Sequence, residues 1–448
     1  MQLRKLIDSP SGLRFMTDNL CTHSGYSRKL LLEMTMMCDK ISIEKSYSVM
    51  KEFYQVLQNE ENKNVIQTLQ FKLCKLKDIN HTLSRLASSV VLDDIELFEV
   101  KNLAILSADV KIILEKLNLN EIITIPDLED VVKILDPDGL RIATFYIYDS
   151  YSEKLASLRK KLKSKDFYQD AVYNEVQALE DEIRGELSDK LKPYSETLTI
   201  AMNALAQVDI NLAKSLQMKE LGLCFPTLSD ENVARYEGMF HPEVRSVLRE
   251  KNTDYQNVNI SYELKPLIIM GANMGGKTIV LKTLALCQYL MQFGFGVPAS
   301  KAEMMIFDEI FCLTTDEQSI NKGLSSFAAE MKNIDAVIRA SQHDSRILAL
   351  IDEPARTTNP TEGTALVSSL IKLLQDKAMG LVVVTHYNIN TYNNKCLRVR
   401  GLENGKMNYE LVETYEGEVP HEALNIAENL GIAPQWIKLA KEILEEGR

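Results

Sequence analysis

The chain has 448 residues, a formal net charge of −12, 45% hydrophobic residues and 25% charged residues, a balance typical of a globular protein of two to four domains. No apolar run approaches the ~20 residues that a membrane span needs, and the first eight residues show no signal-peptide core, so we expect a cytoplasmic protein without membrane contact. The seven cysteines are scattered without a C-x-x-C pair, which indicates reduced thiols and no zinc site.

The first predicted segment, residues 1–150, has the pattern of a helical bundle. It is rich in Leu, Lys, Glu, Met and Ile and contains few glycines. The spacing of its apolar residues predicts helices that pack together, as in Leu30, Leu31, Met34 and Met37, and again in Ile66, Leu69, Phe71 and Leu73.

The next segment, residues 151–196, is long and highly charged. Basic residues dominate its first part and acidic residues its second part, with sparse apolar positions between them. This pattern predicts two helices paired as a protruding arm. The arm is either a solvated hairpin without a partner or a clamp that touches nucleic acid or another protein through the basic stretch 159–165.

Three further segments complete the predicted organisation. Residues 197–250 form a returning helix and a connector, which is broken at two proline-containing loops. Residues 251–415 alternate strands with helices, which is the pattern of an α/β domain. Residues 416–448 form two short helices, the second starting at Pro434, with an apolar face that packs either on a partner subunit or on its own domain.

The segment from Gly271 to Thr278 fits the pattern G-x-x-x-x-G-K-[ST] at every fixed position. It follows an apolar strand candidate, Leu267–Met270, and opens an amphipathic run that starts at Ile279. Such a turn directs backbone N–H groups and a helix N-terminus toward phosphate oxygens. Lys277 would reach the β- and γ-phosphates and Thr278 would ligate Mg²⁺, so the segment predicts binding of a nucleoside triphosphate.

A second site follows where another strand candidate, 346–351, ends in Asp352 and Glu353. Asp352 is expected to hold the magnesium and Glu353 to polarise the attacking water. Two acids can also merely cap a strand, but their order after the glycine-rich turn favours catalysis. A third strand candidate, 381–384, precedes His386, which would either sense the γ-phosphate or have a purely structural role.

These motifs resemble those of MutS-type ATPases. The turn Gly271–Thr278 is one residue from the family's G-P-N-M-G-G-K-[ST], and Leu324–Met331 resembles its signature S-[ST]-F-x-x-[EH]-M. The preceding D-E-Q-S at 316–319 resembles the second MutS subfamily, which carries the same four residues at this place. The stretch 352–366 and the T-H-Y at 385–387 also match family patterns, and weaker similarity extends over residues 20–31, 204–213 and 241–242.

The resemblance implies a multidomain fold. An all-α core and lever region (1–150) with a helical clamp arm (151–196) would be followed by a returning helix and connector (197–250). A P-loop ATPase domain of α/β, ABC type (251–415) and a C-terminal helix-turn-helix dimerisation tail (416–448) would complete the chain. The cofactors would be ATP and Mg²⁺, and the protein would be a homodimer.

The resemblance also assigns roles to individual residues. Catalysis would depend on Glu353, His386 and Lys277, and the metal would be held by Thr278 and Asp352. The signature loop would complete the other subunit's site in trans, and an aromatic residue ahead of the turn would stack on adenine. The nucleotide would therefore contact Gly271, Asn273, Met274, Gly275, Gly276, Lys277, Thr278, Ile279, Tyr255 and, in trans, Ser325 and Ser326.

Three features depart from the family pattern. No N-terminal mismatch-recognition domain with a Phe-x-Glu wedge is expected, because the one Phe-x-Glu, at 307–309, lies within the ATPase domain and has the pattern of a strand. No C-terminal nuclease-like domain is expected either. The loop 354–360 contains two prolines where the family has small, glycine-rich residues, and prolines stiffen a loop.

Three functions remain open from the sequence. The first is an ATPase that couples its nucleotide state to DNA, of the mismatch-repair or recombination type but without the wedge. The second is a protein-remodelling ATPase, such as a reactivase for a cobalamin-dependent lysine aminomutase, which the acidic balance and the loop 354–360 favour. The third is a dimeric scaffold with a vestigial site, against which the intact Lys277, Asp352 and Glu353 argue.

Overall fold

The computed structural model describes residues 1–142, 144–163, 170–271, 276–314, 326–403, 406–414 and 432–446. The chain divides into two compact units. The first, here called the sheet unit, comprises Met1–Leu20, Met34–Tyr47 and Gln217–Arg448. The second, here called the helical unit, comprises Cys21–Glu33 and Ser48–Leu216.

Helices are numbered in chain order among the described residues. The first eight are α1 Leu3–Leu6, α2 Leu13–Asp18, α3 Gly25–Glu33, α4 Lys40–Gln58, α5 Lys63–Leu73, α6 Asn80–Ala87, α7 Asp94–Lys116 and α8 Glu129–Leu135. The remaining eight are α9 Glu153–Lys163, α10 Asp170–Leu191, α11 Ser195–Leu221, α12 Pro242–Glu250, α13 Lys277–Gln292, α14 Ser326–Ala340, α15 Pro360–Leu374 and α16 Pro434–Glu446. Single 3₁₀ turns occur at Glu60–Asn62, Asp149–Tyr151 and Lys192–Tyr194.

The helical unit has a core of its own, centred on the long helix α7. This helix begins with a capping box, in which Asp93 accepts the Glu96 N–H and the Glu96 side chain accepts the Asp93 N–H. Its own apolar side chains, such as Val100 and Leu103, share a buried cluster with residues of neighbouring helices, including Leu69, Leu73, Ile183 and Leu205. Burial of these side chains stabilises the helices, because intrinsic helix propensity alone would not keep them folded.

The two predicted helices of the arm are confirmed as α9 and α10. Their sparse apolar residues are the ones that become buried, namely Leu155, Leu158, Val176, Ile183 and Leu187. Spacings of three, four and seven residues place them on one face of each helix. A protruding clamp that grips a partner remains a prediction.

The spacing argument fails at two places in the first 150 residues. Helix α3 ends at Glu33, so Met34 and Met37 lie beyond it, in a segment that belongs to the sheet unit. Phe71 is 64% exposed, because Ile66, Leu69 and Leu73 already form the buried face of α5. The Lys75 ammonium lies 5.1 Å from the exposed Phe71 ring.

Ten strands are described: β1 Thr227–Leu228, β2 Val233–Met239, β3 Val258–Glu263, β4 Pro266–Met270, β5 Lys301–Met304, β6 Glu309–Leu313, β7 Ile347–Asp352, β8 Gly380–Thr385, β9 Lys395–Glu403 and β10 Lys406–Glu413. Six of them form a sheet in the order β10-β9-β4-β8-β7-β6. Within it β10 is antiparallel to β9, and every other neighbouring pair is parallel. A smaller sheet has the order β1-β5-β2-β3.

Strands β4, β7 and β8 are buried along their whole length. Helices α14 and α15 pack against one set of their side chains, through Ile334, Val337, Val367 and Ile371. Helix α13 contacts β6, β7 and β8. Parallel strands covered by helices in this way are continuous apolar runs, which explains why the sequence shows runs such as LIIM and ILALI instead of alternation.

The predicted mixture of a helical region and an α/β domain is therefore confirmed. Residues 1–20 and 34–47, predicted to belong to the first helical segment, group with the sheet unit. The boundaries between the five predicted segments and the dimerisation role of the tail remain predictions. Of the two helices predicted in the tail, the second is confirmed as α16, whereas the first, predicted before Pro434, lies outside the described residues.

The Phe-x-Glu at 307–309 is part of the sheet unit. Phe307 lies in the segment that connects β5 to β6 and is fully buried, and Glu309 is the first residue of β6. The phenylalanine is thus a core residue. Within the described part of the chain, no helix is long and apolar enough to cross a membrane.

Candidate active site

The predicted catalytic residues lie where three neighbouring parallel strands end. Strand β8 lies between β4 and β7, and the register pairs Met270 with Thr385 and Val384 with Asp352. The residues that follow these strands therefore emerge at one edge of the sheet. The carboxyl ends of parallel strands are the usual place for a ligand in a sheet of this kind.

The glycine-rich turn joins β4 to α13. Gly271 has φ of 129° and Gly276 has φ of 69°, backbone conformations that only glycine adopts readily. Lys277 is the first residue of α13, is 3% exposed, and donates from Nζ to the Gly271 carbonyl at 2.7 Å. A buried ammonium at a helix N-terminus forms a strongly anion-binding corner.

The turn is described only at its two ends. Gly271, Gly276 and Lys277 are described, and Thr278 and Ile279 lie in the first turn of α13. The remaining predicted phosphate contacts, Asn273, Met274 and Gly275, lie outside the described residues and stay predictions.

Thr278 and Asp352 meet at the end of β7. The Thr278 hydroxyl donates to Asp352 Oδ2 at 2.8 Å. Asp352 Oδ1 is buried, and no described residue donates a hydrogen bond to it. Burial raises the pKa of Asp352 and the neighbouring Glu353 raises it further, while the Thr278 hydrogen bond opposes the rise.

This pair fits a magnesium ion. Mg²⁺ takes oxygen ligands, keeps several waters and is bound by one or two protein groups together with substrate phosphates. A buried carboxylate oxygen without a donor is a position where a cation would restore the lost solvation. Among the described residues, no group of three or more His, Cys, Asp or Glu side chains could hold a metal ion.

Glu353 is held close to the same edge. Its N–H donates to the Val384 carbonyl at 2.9 Å, and the residue is only 7% exposed. His386 Nδ1 lies 3.9 Å from Glu353 Oε1, and Arg356 Nη1 lies 3.7 Å from Glu353 Oε2. The structure thus brings Lys277, Thr278, Asp352, Glu353 and His386 together, as the motif order predicts.

Several residues at this edge escape sequence reasoning. Glu330 of α14 and Tyr387 each bind the backbone of Ala355, two residues after Glu353. Both residues lie inside motifs that resemble family patterns, but no pattern in the sequence indicates that they meet. They meet because Tyr387, which follows β8, belongs to the same buried apolar cluster as residues of α14.

Another residue that the sequence does not reveal is Tyr409 of β10. A Cβ atom added to Gly276 would lie 3.2 Å from Tyr409 Cδ1, so the ring lies directly beside the glycine-rich turn. Gln256 accepts from the Tyr409 N–H at 2.9 Å and donates to Asn408 at 2.8 Å. This aromatic residue lies far along the chain from the turn, and no motif marks it.

Tyr255, the predicted adenine contact, lies in the loop before β3. Its hydroxyl accepts from the His241 N–H at 3.1 Å, and burial raises the pKa of Tyr255. Its neighbour Gln256 bonds to the strand of Tyr409. Ser325 lies outside the described residues, and Ser326 is described only as the first residue of α14. Their action in trans stays a prediction.

Part of the chain, including the described site residues, is similar to known proteins. Residues 267–444 match the family described as MutS domain V. The chain is 33% identical over 274 residues to a protein of Enterococcus faecalis named "Endonuclease MutS2", covering 59% of this chain and 33% of that protein. A protein of the same name from Finegoldia magna is 30% identical over 288 residues, covering 61% and 36%. A third, from Shouchella clausii, is 35% identical over 208 residues, covering 46% and 26%. The chain thus spans about a third or less of the length of these relatives.

Proposed function

We propose, from the match of residues 267–444 to MutS domain V, that this chain is a dimeric ATPase that couples its nucleotide state to DNA binding. The observation that carries the ATPase part is the buried Asp352 oxygen without a described donor, beside Thr278 and the buried Lys277. A site of this kind needs a phosphate-bound cation to complete it.

In the proposed reaction the chain positions ATP and a water molecule. The backbone of 271–278 and the Lys277 ammonium would bind the phosphates, so Lys277 would exchange its bond to the Gly271 carbonyl for phosphate oxygens. Thr278 and Asp352 would hold Mg²⁺, which supplies positive charge for the β- and γ-phosphates. Lys277 and the magnesium would together stabilise the negative charge that develops on the phosphates in the transition state.

Glu353 is the group that would orient the attacking water. Its carboxylate faces His386 on one side and Arg356 on the other. His386, beside Glu353, would donate to a γ-phosphate oxygen once the nucleotide is bound. The water would lose its proton toward Glu353 as the oxygen attacks phosphorus, and ADP would leave with the bond electrons.

Two tyrosines are proposed around the base. Tyr255 remains the candidate from the resemblance, and Tyr409 is supported by its contact with Gly276. The hydrogen bonds of Gln256 hold the segments of both tyrosines near each other. Aromatic rings in this position would stack on adenine.

The proposed dimer uses the signature loop and the tail. Ser325 and Ser326 would complete the other subunit's site. On α16 an apolar stripe of Trp436, Leu439 and Ile443 is 66%, 54% and 60% exposed, a face suited to a second copy.

DNA binding is proposed through the helical unit. Arg159, in the basic stretch, is paired with Asp149 and Glu180 at 2.6 and 2.8 Å, so it is not available as a phosphate ligand in this arrangement. Lys160 and Lys161 are exposed. Because the net charge is −12, binding would depend on such local groups and would be strongly salt-dependent.

The alternative, a reactivase for an aminomutase, remains an interpretation of the sequence. The relatives reported above are named as MutS2 endonucleases and give it no support. The word endonuclease belongs to those longer proteins. For this chain we propose ATP hydrolysis and DNA coupling.

The test is a titration of duplex and branched DNA at ~50 and ~200 mM salt, with and without Mg·ATP, alongside steady-state ATP hydrolysis. We expect hydrolysis, DNA affinity that falls steeply with salt, and an effect of ATP on that affinity. The control is Lys277→Ala, which should lose both turnover and the ATP effect. DNA affinity absent even at ~50 mM salt would refute the DNA part, and unchanged turnover in Lys277→Ala would refute the assigned site.

A further inference from the structure

The turn after β7 has an unusual backbone. Glu353 has φ of 47° and Ala355 has φ of 61°, and neither is a glycine. Residues with side chains rarely adopt this left-handed conformation, and it persists only where surrounding groups fix it. The turn carries the carboxylate that would orient water, so whatever fixes it also fixes that carboxylate.

Two side chains hold the Ala355 peptide groups from opposite ends. The Ala355 N–H donates to Glu330 Oε1 at 2.6 Å, and the Ala355 carbonyl accepts from the Tyr387 hydroxyl at 2.8 Å. Glu330 comes from α14 and Tyr387 from the segment after β8. The turn is therefore tied to two separate elements of the sheet unit.

The Tyr387 contact requires a glycine on a third element. A Cβ atom on Gly363 of α15 would lie 2.5 Å from the Tyr387 hydroxyl oxygen. No side chain fits there without displacing the ring. The glycine in the motif E-G-T-A-L at 362–366 thus has a physical reason, which is to let Tyr387 reach Ala355.

Glu330 is suited to its contact by its surroundings. It is partly buried, and burial raises its pKa, while the Ala355 N–H and the nearby Arg356 oppose that rise. A hydrogen bond from an N–H to a carboxylate shielded from water is stronger than one at an exposed site. Arg356 is also the residue that approaches Glu353, so the two carboxylates share one cationic neighbour.

We propose that Glu330 is a positioning residue for ATP hydrolysis, because its hydrogen bond to the Ala355 N–H holds the left-handed turn that orients Glu353. Glu330 does not touch the reacting atoms and acts through the turn. The inference rests on the proposed ATPase function. It predicts that loss of the carboxylate slows the chemical step and leaves nucleotide binding intact. The reason is that the phosphate-binding residues Lys277 and Thr278 begin α13, after β4, and do not belong to the turn after β7.

The experiment compares Glu330→Ala with Glu330→Gln in the full chain. We measure kcat and KM for Mg·ATP, and the affinity for a fluorescent, non-hydrolysable ATP analogue. Glu330→Ala should lower kcat about 10- to 100-fold, the range expected when a catalytic group is misplaced by about an ångström. KM and analogue affinity should stay within about threefold. Glu330→Gln should keep most of the activity, because its amide oxygen still accepts the Ala355 N–H.

The matched control is Asp335→Ala on the same helix. Asp335 is exposed and pairs only with Arg339 one turn away among the contacts described, so kcat should not change. Tyr387→Phe provides a second test that does not alter α14. It removes only the hydroxyl that donates to the Ala355 carbonyl. We expect a lower kcat and a KM that changes much less.

Three results would overturn the inference. One is an unchanged kcat in Glu330→Ala. The second is a parallel loss of kcat and analogue affinity with a lowered unfolding temperature, which would indicate a general structural role. The third is a Glu330→Gln protein as slow as Glu330→Ala, which would make the charge and not the hydrogen bond essential. A wild-type chain without any turnover would instead sink the proposed ATPase function itself.

Discussion

Asp352 illustrates what a single residue contributes at this site. The sequence identifies it as an acid at the end of an apolar strand, which is a pattern that simple strand capping also produces. The structure separates its two oxygens, one bound to the Thr278 hydroxyl at 2.8 Å and the other buried without a described donor. That asymmetry, which the sequence does not reveal, favours a magnesium ligand over a cap.

His241 offers a residue-scale prediction about pH. It is 2% exposed, Nε2 lies 3.2 Å from the Ser11 carbonyl, and Nδ1 accepts the Val244 N–H. Burial lowers the pKa of His241 to about 4, against a small opposing effect of the Ser11 carbonyl, and Lys282 lowers it further. The ring is therefore neutral in the folded protein, with both nitrogens already used.

Because the folded pKa lies below the unfolded value of about 6.5, the unfolded chain binds the proton more readily between pH 6.5 and 4. Stability from this group is complete above pH 6.5 and is lost as the pH falls through that window. Between pH 7 and pH 5 the loss should be about 2 kcal/mol. Urea denaturation of wild type and His241→Asn over this range measures it, since asparagine can still cap α12 but does not titrate. Parallel pH curves for the two proteins would contradict the prediction.

At the scale of elements, α7 and α8 are linked by a buried ion pair. Lys101 Nζ lies 3.0 Å from Asp136 Oδ1 and 2.7 Å from the Tyr148 hydroxyl, and Lys101 and Asp136 have side chains 0% exposed. The Arg141 N–H donates to the other Asp136 oxygen at 2.8 Å. Every charged group here has a partner, and removal of one would leave the other buried and uncompensated.

We expect Lys101→Met to lower the free energy of unfolding by about 3 to 5 kcal/mol, because Asp136 would keep its charge without its cation. The control is Lys111→Met on the same helix, where the ion pair to Asp127 at 3.7 Å is exposed and contributes at most about 1 kcal/mol. Urea denaturation of the full chain compares the two. Equal, small losses would show that the buried pair does not stabilise the helical unit.

At the scale of the whole molecule, the proposed dimer depends on the helix α16 of the tail. The stripe formed by Trp436, Leu439 and Ile443 follows a spacing of three and four residues on α16, while Ile437 is buried. An exposed stripe of this size on a charged helix is typical of a subunit contact.

We expect the wild-type chain to be a dimer in solution and Leu439→Asp to shift it toward the monomer, because an uncompensated carboxylate would be buried at the contact. Lys438→Ala is the control, since Lys438 is 80% exposed and lies beside the stripe. Sedimentation velocity over a range of concentrations gives the mass. A monomeric wild-type chain, or a Leu439→Asp variant that stays dimeric, would refute the role of this face.

The sequence by itself determined the local structural features of this protein. Glycine at two left-handed positions, the lysine and threonine after them, acids at the end of an apolar strand and helical spacing in the arm are all set by nearest neighbours along the chain. They could be predicted because backbone sterics, helix periodicity and strand burial act over a few residues. The same local reasoning put Phe71 in the core, where its neighbours Leu69 and Leu73 already filled the buried face of α5.

Only the tertiary structure decided what meets what. The order β4-β8-β7 brings His386 between the phosphate turn and Glu353, and the packing of α14 and α15 brings Glu330, Tyr387 and Gly363 to the Ala355 turn. Tyr409 reaches Gly276 in the same way. These contacts join residues from distant parts of the chain, and no pattern within a short window encodes them. Their physical cause is the shared burial of helices and strands, which fixes distant side chains relative to one another.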